Sequence, residues 1–264
     1  MPDNDLFSIK KRITAAQQTR KITRTMELIA SSRLQRGKVL LTACNEWSRY
    51  IREAARILPD SYFEPPSDSG DDLKRAYIIF GGSRGLSGAY SPNLLQYAKP
   101  IVDGHIVGAV GSATEVFFPD AHTSFGDEVP SADYSAAIVR AAMAMRKSEE
   151  ADEVYLIYTR GTRHVTARLF PLIRHDEVHE GVIPEPSASK LFPALFGEYA
   201  ISVVYEAHLQ AFVSEQIARV SAMDSATKNA DEITEALQAT YNRIRQSSIT
   251  QEIITVSNAA RGDG

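Results

Sequence analysis

Proline is absent from both ends of this chain. None occurs between Asp3 and Leu58 or between Ala194 and Gly264, so all twelve lie at Pro2 or from Pro59 to Pro193. Proline breaks helix interiors, and its absence leaves each end free to form one long helix around a segmented middle. A 55-residue helix would run about 80 Å at 1.5 Å per residue, longer than a compact domain of this size is wide. Two such helices must pair with each other or with a partner, because the middle alone cannot cover both. The chain is organised to transmit along its length rather than to enclose a substrate.

Heptad spacing supports the pairing. Ile22, Met26, Ile29, Arg33, Arg36, Leu40, Ala43, Trp47, Tyr50, Ala54 and Ile57 follow one another at steps of four and three, the spacing of a left-handed coiled-coil seam. Ile9, Ile13 and Ala16 form a stripe one residue out of phase, which reads as a stutter. Arg33 and Arg36 place charge where a knob belongs: either their stems pack while the guanidinium groups reach water, or they meet an acidic partner. At the other end, Leu209, Phe212, Gln216, Arg219, Met223, Ala226, Ala230, Ile233, Leu237, Thr240 and Ile244 repeat the spacing, with Ile249, Ile253 and Val256 following a phase shift. A middle domain that joins the two helices at one end makes them antiparallel.

Charge is uneven along the chain. Residues 1–58 hold twelve Lys/Arg against five Asp/Glu, whereas the whole chain carries a net −4. A basic helical end on an acidic protein points to an acidic protein surface or to nucleic acid. Aromatic residues do not interleave with the basic positions, which argues against single-strand binding. The lone Cys44 excludes an internal disulfide. No apolar run approaches the roughly 20 residues that cross a bilayer, and the N-terminus, with its early Asp3 and Asp5, carries no apolar signal core.

The middle reads as α/β. After the turn-rich, acidic stretch 59–72, segments 76–82, 105–111 and 153–159 have the composition of buried strands, and 91–99, 112–118 and 134–150 that of helices. Such alternation predicts a parallel sheet flanked by helices, with 164–170 as an antiparallel edge and 181–193 as a loop back to the last helix. The expected fold is a long antiparallel coiled coil plus a Rossmann-like domain: helices over 3–58 and 198–260, the α/β domain over 73–195.

That domain invites an enzymatic reading, which its residues do not support. GGSRGLSG at 81–88 follows a strand and precedes a helix, as a phosphate loop does, but it lacks the Lys-Ser/Thr ending and the dinucleotide spacing. Ser87 is no nucleophile elbow, which needs glycine two before and two after the serine: Gly85 precedes it, but Ala89 follows. His175 and His179 sit four apart, yet Asp176 follows where a zincin has Glu, and no third ligand is evident. No catalytic, cofactor or metal site is expected.

Four segments resemble one family in its order. RITAAQQTRKITRTMELIASSRLQRGK at 12–38 resembles the opening helix of the gamma subunit of F-type ATP synthases, and RGLSGAYSPNL at 84–94 its glycine-rich loop. SEQIARVSAMDSATKNADEI at 214–233 and YNRIRQSSITQEI at 241–253 resemble its C-terminal signature. Most of 100–200 carries no such motif. Ser87 stands where the family usually has cysteine, GGS at 81–83 where an acid is common, and Ser91 where asparagine is common, which suggests a divergent prokaryotic version.

The resemblance implies a non-catalytic central rotor shaft, its helices inside the alpha–beta hexamer and its α/β domain forming a foot on the epsilon subunit and the membrane ring of c subunits. It places the chain on the cytoplasmic face of a prokaryotic plasma membrane, peripherally, with no nucleic acid. By the same resemblance Arg84, Arg243 and Gln246 would touch polar catch loops of the stator. Met26 would pack between the paired helices near a beta lever, Arg33 and Arg36 would face acidic lever residues, and Ile249, Ile253 and Val256 would form the apolar tip in an upper bearing. The alternative is a coiled-coil scaffold or adaptor carrying a Rossmann-like module.

Overall fold

The computed structural model describes residues 2–58, 73–82, 85–126, 129–148, 150–172, 185 and 187–262. In chain order the elements are α1 Pro2–Ala55, β1 Arg75–Phe80, α2 Tyr90–Ala98, β2 Ile106–Val110, α3 Ser112–Phe117, β3 Thr123–Phe125, α4 Ala132–Lys147, β4 Glu153–Arg160, β5 Arg163–Phe170 and α5 Ala188–Gly262. They pack as two units: Met1–Ala30 with Val220–Gly264, and Ser31–Arg219.

The first unit is an antiparallel helix pair. The Thr23 and Thr227 hydroxyls hydrogen-bond at 2.7 Å, and Arg20 pairs with Asp231, so residue numbers rise on α1 as they fall on α5. Ile9, Ile13, Thr23 and Ala30 are buried on α1, and Met223, Thr227 and Ala230 on α5. The seam therefore lies one residue beyond the sequence-based one. Ile22, Met26 and Ile29 are 59%, 37% and 46% exposed, on the outer flank. Positions 9, 13, 16, 20, 23, 27 and 30 keep steps of four and three, so no stutter interrupts α1. On α5 the sequence-based seam holds, with Leu209, Gln216, Arg219, Met223 and Ala230 buried; Ile233 is exposed, and Thr227 is buried beside the seam.

The correction has a steric cause. Beside the buried Ile9, Ile13 and Met223, the seam carries small or hydroxyl-bearing residues at Thr23, Ala30, Thr227 and Ala230, and Ile22, Met26 and Ile29 stand at its margin. The buried Thr23–Thr227 bond contributes about 1 kcal/mol net. The largely exposed Arg20–Asp231 pair contributes between about 0 and 1 kcal/mol.

The second unit is a five-stranded sheet in the order β3-β2-β1-β4-β5. β1 pairs in parallel with β2 and β4, β2 with β3, and β5 runs antiparallel to β4 at the edge. The three-residue β3 has no counterpart in the sequence reading, being too short to show a period. Strand side chains alternate between faces. Ile78, Phe80, Val154 and Leu156 pack with Ile138, Ala142 and Met145 of α4 and with Ala200, Val204 and Ala207 of α5. Tyr77, Ile79 and Ile157 pack with Leu94, Leu95 and Ala98 of α2 on the other face.

In this unit too the α1 seam is shifted by one. Gly37, Cys44, Ser48, Ala55 and Leu58 are buried, and Leu40 and Tyr50 are exposed. A Cβ on Gly37 would stand 3.0 Å from Val213 and 3.1 Å from Phe212, so glycine permits this approach. Trp47 meets Tyr205 edge-on at 6.4 Å. α5 is buried almost all round between residues 207 and 216, as a helix with packing on both sides requires. It begins at Ala188 and contains Pro193, earlier than its proline suggests. A proline near a helix start forfeits only one internal bond, which packing offsets.

Candidate functional site

β1 ends at Phe80 and leads directly into Gly81 and Gly82. A Cβ on Gly81 would overlap the Thr114 hydroxyl, and one on Gly82 the Ser91 hydroxyl, so both glycines mark close packing. Further along this loop Leu86 holds φ at +70° and Gly88 at +59°. A left-handed leucine costs about 1–2 kcal/mol, and Leu86 is solvent-exposed while its neighbour Ser87 is buried.

α5 crosses beside this loop. The Tyr90 hydroxyl donates to Ala211 O at 3.0 Å; burial raises the Tyr90 pKa well above its ordinary value, and the Glu215 carboxylate adds to the rise. The Ser214 hydroxyl lies 3.0 Å from Thr159 O and accepts from the Gly161 N–H at 2.9 Å. The Arg219 guanidinium donates to Glu215 Oε1 at 2.5 Å, to Gln216 Oε1 at 3.1 Å and to Gly85 O at 3.4 Å. Glu215, Gln216 and Arg219 are all buried.

Two groups nearby are chemically quiet. His208, buried against Phe80 and Tyr134 with centroids 5.3 Å away, has its pKa lowered by burial to about 3. Burial pushes the Cys44 thiol up to about 11, with the Ser48 hydrogen bond opposing, so the thiolate nucleophile is scarce at neutral pH. Among the described residues no three His, Cys, Asp or Glu side chains are grouped to hold a metal.

The expected contact residues form separate groups. Arg84, His175, Asp176 and His179 lie outside the described residues. Met26 lies on the outer flank of α1, not between the helices. Arg33 is half-buried and Arg36 exposed. Arg243, Gln246, Ile249, Ile253 and Val256 are exposed at the end of α5. Steps of three and four from 243 to 256 put them on one helical face. Among the described residues none of these groups pairs a nucleophile with a base; they lie at surfaces. Sequence reasoning missed Glu215 and the His208 ring cluster. The i,i+4 spacing of Glu215 and Arg219 was a visible signal for the first.

The ATP synthase family model matches residues 5–261. The chain belongs to this family. Its relatives carry the name ATP synthase gamma chain. That of Ruminiclostridium cellulolyticum is 30% identical, covering 97% of this chain and 98% of its own. That of Moorella thermoacetica is 31% identical, covering 94% and 95%. Among solved structures, the rotor of Euglena gracilis mitochondrial ATP synthase in rotational state 1 aligns with a TM-score of 0.67 at 14% identity, over 94% of this chain and 99% of that one. A Tetrahymena thermophila central-stalk chain aligns at 0.58 and 20%, over 78% and 99%. These two likenesses concern the fold: paired terminal helices and a mostly parallel sheet, as in this gamma-type chain.

Proposed function

We propose that this chain is the central rotor shaft of an F-type ATP synthase, coupling transmembrane ion flow to ATP synthesis or hydrolysis in the alpha–beta hexamer. The full-length family match carries the reading. The helix pair supports it, because a shaft must present a surface that touches its stator without locking to it. Nucleotide chemistry belongs to the hexamer, and this chain works mechanically. Each ion supplies about 2.3 kcal/mol per charge per 100 mV.

In this reading the α/β domain sits on the epsilon subunit and the ring of c subunits, peripheral to the cytoplasmic face of a prokaryotic plasma membrane. Among the described residues no helix is long and apolar enough to cross one. Arg84, Arg243 and Gln246 engage polar stator loops, and Arg33 and Arg36 face acidic lever residues. Met26 meets the beta lever from the outer flank of α1. Ile249, Ile253 and Val256 turn in the apolar bearing.

Reconstitution with the alpha and beta chains of the same genome tests this. The expected result is a stable complex whose ATP hydrolysis depends on this chain; a chain that neither co-purifies nor changes hydrolysis would sink the proposal. In the full enzyme, Arg84→Ala should slow coupled turnover more than it weakens assembly, since a charge-assisted contact is worth about 1.5–3 kcal/mol. Unchanged kinetics in an assembled variant would remove Arg84 from the stator contacts.

A further inference from the structure

A cleft of about 480 Å³ lies at the antiparallel side of the sheet, between β4, β5, α5 and the end of α1. Small-molecule sites typically measure about 300–1,000 Å³, with an apolar lining and a few placed polar groups. Leu156, Ala167, Val203 and Ala207 supply the apolar lining here. The polar groups are Tyr158 and Arg160 from β4, Glu206 from α5, and Arg52 from the last turn of α1. Leu156, Tyr158 and Arg160 share one face of β4 at alternate positions.

The cleft holds more positive charge than it neutralises. Arg160 Nη2 donates to the Glu206 carboxylate at 3.3 Å and to the Tyr158 hydroxyl at 3.2 Å. Its other donors, and the whole Arg52 guanidinium, meet no hydrogen-bond or ion-pair partner among the described residues. An arginine carries five N–H donors, so most of this capacity is unspent. Arg168 also borders the cleft, but its guanidinium goes to Glu153 at 3.0 Å and leaves the balance unchanged. Tyr158 is buried, and its hydroxyl accepts from Arg160 while its own proton has no acceptor among the described residues. Burial raises the Tyr158 pKa, so that proton stays in place at neutral pH. A cation in the last turn of a helix is favoured by the dipole alone. That accounts for the charge of Arg52, not for its place on the rim of an apolar cleft opposite a second arginine.

We infer that this cleft binds a small amphiphilic anion, an organic phosphate whose apolar part rests on Leu156, Ala167, Val203 and Ala207 and whose charge is received by Arg52, Arg160 and the Tyr158 hydroxyl. A bare phosphate leaves the apolar lining uncovered, and an uncharged apolar ligand strands the guanidinium groups without a partner. Glu206 weakens the site by holding Arg160. The inference goes beyond the rotor reading and does not depend on it.

Calorimetry on the full chain tests this with octyl phosphate, phenyl phosphate, inorganic phosphate and octanol as probes. At least one organic phosphate should saturate a single site, with inorganic phosphate and octanol binding more weakly. Preference for octyl phosphate marks a lipid-derived ligand and preference for phenyl phosphate a soluble aromatic one; either supports the inference. Arg52→Gln should weaken binding about tenfold, the loss of one charge-assisted contact. Glu206→Gln should tighten it severalfold by releasing Arg160, a gain that a merely structural role would not produce. Because Glu206→Gln keeps the side chain's shape, it decides the matter if Arg52→Gln does not fold. Either change in the expected direction supports the inference. No saturable binding of either organic phosphate by wild type and Glu206→Gln overturns it. Binding that octanol or inorganic phosphate matches, or that neither substitution alters, overturns it as well.

Discussion

At the scale of single residues, two buried positions make opposite demands on the core. His208 Nδ1 has no hydrogen-bond partner among the described residues, and burial holds the ring neutral with a pKa near 3, against about 6.5 when unfolded. Between those values the unfolded chain binds a proton that the folded chain refuses, so stability falls as pH drops below about 6.5. The slope is on the order of 1 kcal/mol per pH unit. His208→Phe keeps a ring against Phe80 and Tyr134 and removes the titration. Urea melts between pH 7 and pH 4.5 should show a shallower decline for the variant than for wild type; parallel declines would refute the assignment. Gly37 makes the other demand. Its missing Cβ leaves room for Val213 and Phe212, and Gly37→Val should cost about 1–3 kcal/mol by overpacking, read as a lowered denaturation midpoint.

At the scale of elements, the chain was legible where side-chain chemistry and packing agree. Runs such as AYIIF and EVYLIY declared buried strands because apolar, β-branched and aromatic side chains dominate them. Proline-free ends declared long helices. The α1 seam was illegible because Thr23, Ala30, Gly37, Cys44 and Ser48 do not look like knobs, while Ile22, Met26 and Ile29 do. Hydrophobicity alone does not set a seam, and on the rotor reading the exposed aliphatic side chains would be buried against other chains. The proposed contact surfaces rest on family resemblance alone, since exposed arginines and isoleucines have no periodic signature of their own.

Met26→Lys follows from the corrected seam. Met26 is more than one-third exposed, so a lysine there can place its ammonium in water and cost the helix pair little. In the assembled enzyme that ammonium would face acidic stator side chains and add a contact the methionine cannot make, raising the barrier to rotation. ATP-driven ion pumping should fall more than ATP hydrolysis in the same purified complex. Equal loss of both, or loss of assembly, would return Met26 to a purely structural place.

At the scale of the whole molecule, the two units differ in what holds them. The sheet unit buries Phe80, Phe170, Ile78, Ile79, Ile138 and Leu156 fully. The paired-helix unit rests on a narrow seam that includes a threonine pair and alanines. Opening free energy tracks buried apolar contact, so amides of residues 10–30 and 222–255 should exchange faster than those of 76–80 and 153–159 in the isolated chain. Assembly with alpha and beta chains should slow them. Uniform protection across both units before assembly would contradict this view.

The exposed aliphatic flank also has a consequence for the cell. A ribosome that finishes this chain ahead of its partners releases Ile22, Ile29, Ile253 and Val256 into water, and accessible apolar surface of that kind invites aggregation. Any surplus must be held by chaperones or removed by proteases. On the rotor reading, a copy made without the hexamer that receives it would be a substrate for quality control before it could be part of any machine.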